Sequence, residues 1–397
     1  MKDVVIVSTA RTAIGKIGGT LKNIQPEQLL TTVFEGAIKR AGIHPAIIDE
    51  VIAGQAKQST DAPNIARVAA LSAHIPEETP AYTVHRQCAS GMQAIYNAVE
   101  EIMCEDSEVV LTGGVESMST APFYIRGARF GVGNGNTSFI DPNIESQPKS
   151  QPNDIYGTFN MIQTADNVAK EFGVTREECD EFAYSSQQKA IHAIDNNLFR
   201  DEIIPFAVPQ RKKPSLIFDE DEFPKRDTNL EKLAKLKPIN PDGVTTAGNA
   251  SGRNDGASAI LVMSADKAKE LGLKPLAKII GIAAAGVNPT IMGIGPVAAC
   301  KKLFKKTNMS IDDFDLYEIN EAFAAQSVAC AKELGMDMSK LNVNGGAIAL
   351  GHPLGCSGSR IVGTLIYELK RRHGKYGLAS ICIAGGLGMA LALENIE

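Results

Sequence analysis

Two thiols and an imidazole occupy the settings in this sequence best suited to covalent chemistry. Cys88 lies in His85-Arg86-Gln87-Cys88-Ala89-Ser90-Gly91, after an apolar run and ahead of a stretch with helical spacing. A thiol at a helix N-terminus meets unpaired backbone N–H groups and the positive end of the helix dipole, which favour a thiolate. A free thiol titrates near ~8.5 and becomes a usable nucleophile when that value falls. Ala89, Ser90 and Gly91 are small enough for a carbonyl to approach the backbone. Read alone, the segment fits a buried structural cysteine as well. His352 stands in Gly351-His352-Pro353-Leu354-Gly355-Cys356-Ser357-Gly358, a rigid glycine-flanked turn at a helix entrance. Facing a cysteine, such an imidazole is a base; alone, it is as readily structural. Cys382 ends an apolar run and leads into Ile383-Ala384-Gly385-Gly386, a turn whose backbone N–H groups could hold an oxyanion. Asn320-Glu321-Ala322-Phe323 follows another apolar run and is expected to put an amide and a carboxylate on the same edge.

These groups need elements that bring them together. Val4–Val7 reads as a strand buried on both faces. Pro26 opens a helix in which Leu29, Leu30, Val33, Phe34, Ala37, Ile38 and Ala41 recur at helical spacing until Gly42 stops it. A strand over Glu50–Gly54, a helix after Asn64 and a strand near Tyr82–Val84 follow. A helix with Met92, Ile95, Val99 and Ile102 on one face comes next, then a strand over Glu108–Leu111 that ends at Gly113-Gly114. Late in the chain the order returns: a helix after Pro296, a strand over Asp315–Ile319, a helix from Glu321 and a strand near Leu341–Val343. A helix over Ser357–Arg371 and a strand over Ala379–Ile383 ending at Gly385-Gly386 complete it. The alternation predicts an α/β fold, mostly parallel sheet under helical cover. Asp49 matches Asp315, and Gly114 matches Gly386 (386 − 114 = 272), so the chain reads as an internal duplication. A pseudo-twofold would set the Cys88 and His352 loops on equivalent edges, at the carboxyl ends of strands, where α/β sheets bind ligands.

Between the halves, roughly 120–250, the character changes. Gly127–Thr137 is rich in Gly and Asn, and Thr175-Arg176-Glu177-Glu178 is a capping box that opens a helix to about Asn196. Arg211-Lys212-Lys213 and Lys225-Arg226 are short basic clusters, which by themselves equally describe a solvated surface. Residues 246–252 are a run of small side chains. This stretch reads as an inserted lobe over the catalytic edge.

Composition narrows the class. The chain has 397 residues, 44% hydrophobic and 22% charged, with net charge −6. That describes two to three globular units and excludes a whole-surface basic footprint for nucleic acid. No run reaches the ~20 apolar residues of a membrane helix. Seven cysteines without a C-x-x-C suggest neither a metal cluster nor a disulfide framework. The N-terminus has no signal-peptide architecture, so the expected setting is reducing and cytoplasmic.

The ordered set of Cys88 in C-A-S-G, N-E-A-F at 320–323, G-H-P-L-G-C-S-G at 351–358 and C-I-A-G-G at 382–386 resembles the thiolases. Arg11–Lys16, Gly114–Ser119, the 246–252 run and Asn254–Ala257 resemble the family too, so the likeness spans the chain in order. It implies a layered α-β-α-β-α fold of two duplicated βαβ-rich halves with an inserted loop domain. The halves would be 1–120 plus 250–270, and 271–397, with the loop and CoA-binding domain at 121–249. Within the family the likeness is to the acetoacetyl-CoA thiolases, acetyl-CoA C-acetyltransferases that condense two acetyl-CoA to acetoacetyl-CoA and CoA by a ping-pong Claisen reaction, and reverse it by thiolysis.

The resemblance implies roles. Cys88 would carry the acyl group, His352 would take its proton and later hold the thioester oxygen, and Asn320 would position a water on that oxygen. Cys382 would be the acid/base at the α-carbon, and the backbone N–H groups of Cys88 and Ala384 would form the second oxyanion site. Lys225 and Arg226 match cations near the nucleotide; Ala247, Ala250 and Ser251 match the pantetheine track; Met161, Met292 and Phe323 match the acyl pocket. No cofactor or metal is implied, since coenzyme A is substrate and product. The loop at 127–137 resembles the segment through which tetrameric members associate, implying a dimer of dimers. His85 and Ala384 depart from the usual Asn and Gly, and Asn160, Ile162-Gln163 and Ile239 also depart. At Ala384 a positive φ would be disfavoured.

Other readings separate by experiment. A broader 3-ketoacyl-CoA thiolase of fatty-acid oxidation would prefer longer chains. A silent CoA-binding protein would bind without acetyl exchange. A cysteine protease has no use for the second thiol, Asn320 or duplicated halves, and a decarboxylating ketoacyl synthase fits N-E-A-F and a second reactive cysteine poorly.

Overall fold

The computed structural model describes residues 2–396. The first half runs β1 (Val4–Arg11), β2 (Gly15–Lys16), α1 (Pro26–Ala41), β3 (Glu50–Gly54), α2 (Ile65–Ser72), β4 (Ala81–Val84), α3 (Ser90–Met103) and β5 (Val109–Ser117). The intervening stretch carries α4 (Pro142–Glu145), α5 (Asn153–Tyr156), α6 (Met161–Phe172), α7 (Arg176–Asp195), the hairpin β6 (Phe206–Gln210) and β7 (Lys213–Phe218), and α8 (Leu230–Ala234). β8 (Asn254–Ser264) and α9 (Ala265–Glu270) return to the first half. The second half runs β9 (Ala277–Gly286), α10 (Gly295–Thr307), β10 (Leu316–Ile319), α11 (Ala324–Leu334), α12 (Ala347–Leu350), α13 (Leu354–Arg372), β11 (Tyr376–Ile383) and β12 (Leu387–Asn395).

Local chemistry sets the boundaries. α1 starts with Pro26 in its first turn and a Gln25/Gln28 capping box, buries Leu29, Leu30, Val33 and Phe34, and stops at Gly42, whose φ of 68° is left-handed. The Thr175/Glu178 box opens α7 in the same way.

The sheet order is β10-β11-β12-β9-β1-β8-β5-β3-β4, a near palindrome about the β9–β1 seam. That seam is only two pairs long, Val5 with Lys278 and Ile6 with Ala277. The duplication reaches individual hydrogen bonds. Asp49 Oδ2 accepts the N–H groups of Glu108 and Val109 (2.8 and 2.9 Å), and Asp315 Oδ2 accepts those of Lys375 and Tyr376 (2.7 and 2.9 Å). Each aspartate thus ties the start of one strand to the chain entering its neighbour. Three apolar clusters fill the layers. One packs α1 and α2 on the outer face of the first half, and one packs α10 and α11 on the outer face of the second. The third buries α3 and α13 between the two halves of the sheet. Among the described residues no helix is long and apolar enough to cross a membrane.

The structure corrects several expectations. Among the described residues the sheet is mixed, with three parallel pairings, β3–β4, β3–β5 and β10–β11, against six antiparallel. β12 folds straight back on β11 through the 384–386 turn, which only an antiparallel pair allows. Leu341–Val343 is no strand: Leu341 makes a single bridge to Tyr317. Asn342, at φ 43°, instead mimics a strand with its side chain, its amide pairing both the N–H and the C=O of Ile319 at 2.9 Å. α11 begins at Ala324, not Glu321, because Phe323 is extended and the 249–251 stretch runs beside it, Ala250 bridging Phe323. β5 continues through Gly113-Gly114 to Ser117.

Those glycines serve close approach rather than a turn. A Cβ on Gly114 would fall on the carbonyl of Gly355, and one on Gly91 would lie 2.6 Å from Ser359 Oγ and 2.8 Å from Gly355 O. α3, β5 and α13 therefore meet backbone to backbone, which sets the Cys88 and His352 helix entrances side by side. Gly114→Ala should lower unfolding free energy by about 3 kcal/mol through overpacking. Gly133→Ala, where nothing lies within 4 Å, should change it by less than about 0.5 kcal/mol. Urea denaturation of both variants measures this; equal midpoints would refute the close packing.

Candidate active site

Cys88 sits in a sharp turn between β4 and α3, one residue before Ala89, the helix cap. Gln87 takes a left-handed φ of 46°. The turn is locked by Arg86 N–H donating to Ser90 Oγ at 2.8 Å, by the Ser90 hydroxyl donating to Gln87 O at 2.7 Å, and by Gln87 Nε2 donating to Ser150 Oγ at 2.9 Å. Cys88 is buried in the apolar cluster around α3 and α13. Burial pushes its thiol up to about 11, against the opposing pull of the Ala384 N–H, the Lys57 ammonium and its own N–H. The N–H donors expected at a helix entrance are present and lower the thiol, but desolvation outweighs them before substrate binds.

The Ala384 N–H comes from the turn after β11, so the second oxyanion candidate reaches the first cysteine across the interface of the halves. Gly385 and Gly386 make that turn at φ 93° and 80°, and Ala384 keeps a negative φ, so its methyl costs no backbone strain. Cys382, the last but one residue of β11, has no exposure. Burial, then the nearby Cys88 charge, raises it well above the ordinary thiol range. Two thiolates here oppose each other, so one ionises at a time.

His352 precedes α13 as Cys88 precedes α3, each two residues before its helix. Its N–H donates to Asn254 Oδ1 at 3.0 Å. Nδ1 lies 2.6 Å from Ser357 Oγ, whose hydroxyl donates to Pro353 O at 2.9 Å. The hydroxyl's one proton is therefore committed to Pro353, and Nδ1–H donates to Ser357, leaving Nε2 as the acceptor. Asn320 Nδ2 stands 3.4 Å from Nε2. Burial, then Arg360, lowers the imidazole to about 3, so it is neutral. Glu321 does not share the edge with Asn320. Its carboxylate turns away to Ser186 Oγ, Asn342 Nδ2 and the Ile348 N–H at 2.6, 2.8 and 3.1 Å.

Around Cys382, one apolar cluster gathers Ala165, Met292, Ala322 and Phe323, with Met161, Ile162 and Ala250 packed against it. The Ser251 N–H donates to Ala322 O at 3.0 Å, which lays the small-residue run along this cluster; Ala247 is exposed. Lys225 is exposed, with its N–H on Gln187 Oε1 at 2.8 Å and its ammonium 5.7 Å from the Phe223 ring. Arg226 is paired with Asp195 at 2.8 Å.

Two residues without an expected role stand close by. Glu116 accepts the N–H groups of Ala56, Lys57 and Gly355 at 3.0, 2.9 and 3.0 Å, and burial raises it to about 7. Lys57 is 6% exposed. Their signal in the sequence is position alone: each lies near the carboxyl end of a strand, Lys57 after β3 and Glu116 at the end of β5.

Residues 4–266 match the family pattern described as "Thiolase, N-terminal domain", and 273–395 match "Thiolase, C-terminal domain". An acetyl-CoA acetyltransferase of Cupriavidus necator is 49% identical over 396 residues, all of both chains. The crystal structure of the Bacillus anthracis acetyl-CoA acetyltransferase superposes with TM-score 0.96 at 46% identity, over 100% of this chain and 99% of that one. Human mitochondrial 3-ketoacyl-CoA thiolase in complex with CoA gives 0.94 at 43%, over 100% and 98%.

A thiol at about 11 should be slow to alkylate. Iodoacetamide labelling of Cys88 in the substrate-free protein, followed by peptide mass, should accelerate steadily up to pH 10. A plateau below pH 8.5 would show a thiolate stabilised beyond what this environment provides.

Proposed function

This chain belongs to the thiolase family of acyltransferases, and from that premise we propose that it is an acetyl-CoA C-acetyltransferase working by ping-pong Claisen condensation and its reverse, thiolysis. The observation that carries the reading is the meeting of the Cys88 thiol with the Ala384 N–H and the Cys382 thiol, each of which acts on its titration or is acted on by it, in a buried pocket between the halves. An acyl group on that sulfur would present its carbonyl to the Cys88 and Ala384 N–H donors, and its carbon to a nucleophile formed next to Cys382.

In the first half-reaction Cys88 attacks the thioester carbon of acetyl-CoA. Thiol and imidazole both start neutral, so the proton passes to His352 Nε2 as the carbon–sulfur bond forms, and then to the departing CoA sulfur. The second acetyl-CoA enters with its thioester oxygen toward His352 and Asn320. Cys382 removes an α-proton, the enolate carbon attacks the acetyl carbon on Cys88, and the tetrahedral oxyanion rests on the two N–H groups. Collapse expels the Cys88 thiolate and leaves acetoacetyl-CoA; the proton on Cys382 returns to balance the thiolate. Thiolysis runs the same steps backward.

The apolar cluster of Met161, Ile162, Met292 and Phe323 packed against Cys382 supports a short acyl group. The likeness to a 3-ketoacyl-CoA thiolase favours, as the second reading, a broader chain range. Lys225 and Ser251 are inferred to meet the CoA nucleotide and pantetheine arm. A homotetramer is inferred from exposed Phe123, Phe130, Val132, Phe139 and Ile144 around the 127–137 loop, Phe130 being 96% exposed. Seven free thiols are consistent with a reducing, cytoplasmic setting.

Incubation with acetyl-CoA should add one acetyl group to Cys88 by mass, and Cys88→Ser should lose it. Cys382→Ser should still acylate and lose at least about 10²-fold in condensation, the range of a general base. No adduct on the wild type, or equal loss of both half-reactions in Cys382→Ser, would contradict the assignment. Thiolysis of C4 against longer 3-ketoacyl-CoA separates the two readings.

A further inference from the structure

Burying an ammonium costs several kcal/mol unless acceptors replace its water, so a buried lysine demands a reason. The Lys57 ammonium is enclosed by one segment: it donates to Pro142 O at 2.9 Å, to Gln147 Oε1 at 3.1 Å and to the Ser146 hydroxyl. That segment touches both cysteine loops. Ser150 Oγ holds Gln87 Nε2 beside Cys88, and a Cβ on Gly385, three residues past Cys382, would lie 2.8 Å from Ser150 O. On its backbone side, Lys57 shares Glu116 with Gly355, three residues past His352. Lys57 therefore joins the three loops that carry Cys88, His352 and Cys382.

We propose that Lys57 is a positioning residue for the acyl-transfer site: its ammonium holds the 142–150 segment against both cysteine loops and places a buried positive charge near the nucleophile. The proposal rests on the thiolase reading of Cys88 given above. A carboxylate or a neutral amide at position 57 would not do both tasks. Pro142 O and Gln147 Oε1 are acceptors and repel an anion, and an amide lacks the charge. The groups facing Lys57 are Glu116 on β5, Asp141 ahead of α4, Arg253 ahead of β8, Cys88, and His85 in the turn before α3. As Cys88 ionises, Lys57 opposes the effect of Glu116 on it.

The test compares Lys57→Met, Lys57→Arg and Ser146→Ala with the intact wild type. Burial lowers the Lys57 ammonium below the ordinary lysine range, so the comparison is made at pH 8; there iodoacetamide labelling of Cys88 should be about tenfold slower in Lys57→Met, as loss of a nearby opposite charge raises a thiol by about one pH unit or more. The pH profile should move upward wherever Lys57 is charged and converge with the wild type at the alkaline end, and Lys57→Arg should recover most of the rate. Limited proteolysis within 142–156 should quicken in Lys57→Met and in Ser146→Ala, the latter keeping its alkylation rate because the charge remains. Wild-type alkylation in Lys57→Met, or unchanged proteolysis in both variants, would overturn the proposal. Should Lys57→Met fail to fold, Lys57→Gln keeps a donor without the charge and carries the same expectation for alkylation, with a wild-type rate again overturning it. Alkylation uses no acyl-CoA, so a missing acetyl adduct on the wild type would count against the thiolase reading and not against Lys57.

Discussion

The turn after β11 meets the turn before α3 at Cys88, where the Ala384 N–H opposes the rise that burial imposes on the thiol. That meeting brings together two turns that belong to different halves of a duplicated fold. The rest of the architecture serves that approach. Gly91, Gly114 and Gly355 let α3, β5 and α13 pack backbone to backbone. Asp49 and Asp315 hold equivalent strand starts in register. The short β9–β1 seam leaves α3 and α13 between the halves. The pseudo-twofold thus turns one loop position into two different reagents, a thiol at one helix entrance and an imidazole at the other.

Burial then decides the electrostatics. Both thiols are held protonated and the imidazole neutral, so these three groups carry no charge before substrate arrives. The condensation proposed above would place negative charge on sulfur, on an enolate oxygen and on a tetrahedral oxygen. In a dry pocket each is costly unless donors already face it. On that reading the N–H groups of Cys88 and Ala384, the Asn320 amide and the buried Lys57 ammonium would be such donors and charges, fixed by the fold rather than recruited.

Much of this was legible in the residue order. Cys88, Cys382 and Asn320 each stand at or near the end of a strand, His352 stands at a helix entrance, and small residues flank them; that pattern pointed to a shared edge, and the ordered resemblance to the family gave the roles. The duplication was legible from Asp49, Asp315 and the glycine pairs. Other features depend on contacts that order does not reveal. Asn320 and Glu321 are adjacent, yet the chain bends between them and sends one amide to His352 and one carboxylate to Ser186. The expected strand at Leu341 is replaced by an amide side chain, a substitution invisible to hydrophobic periodicity. The antiparallel returns of β8 and β12 escape a reading based on strand–helix alternation. Lys57 looks like any surface lysine until residues 85 to 90 positions later fold over it.

The convergence of the two sulfurs can be read directly. Dibromoacetone, a short dihalide that joins thiols only when they lie close together, should be added to the native protein, followed by digestion and mass analysis. The structure predicts a single bridge between the peptides containing Cys88 and Cys382, lost after prior acetylation of Cys88. Separate adducts on the two peptides, or a bridge from Cys88 to any other cysteine, would contradict a shared site.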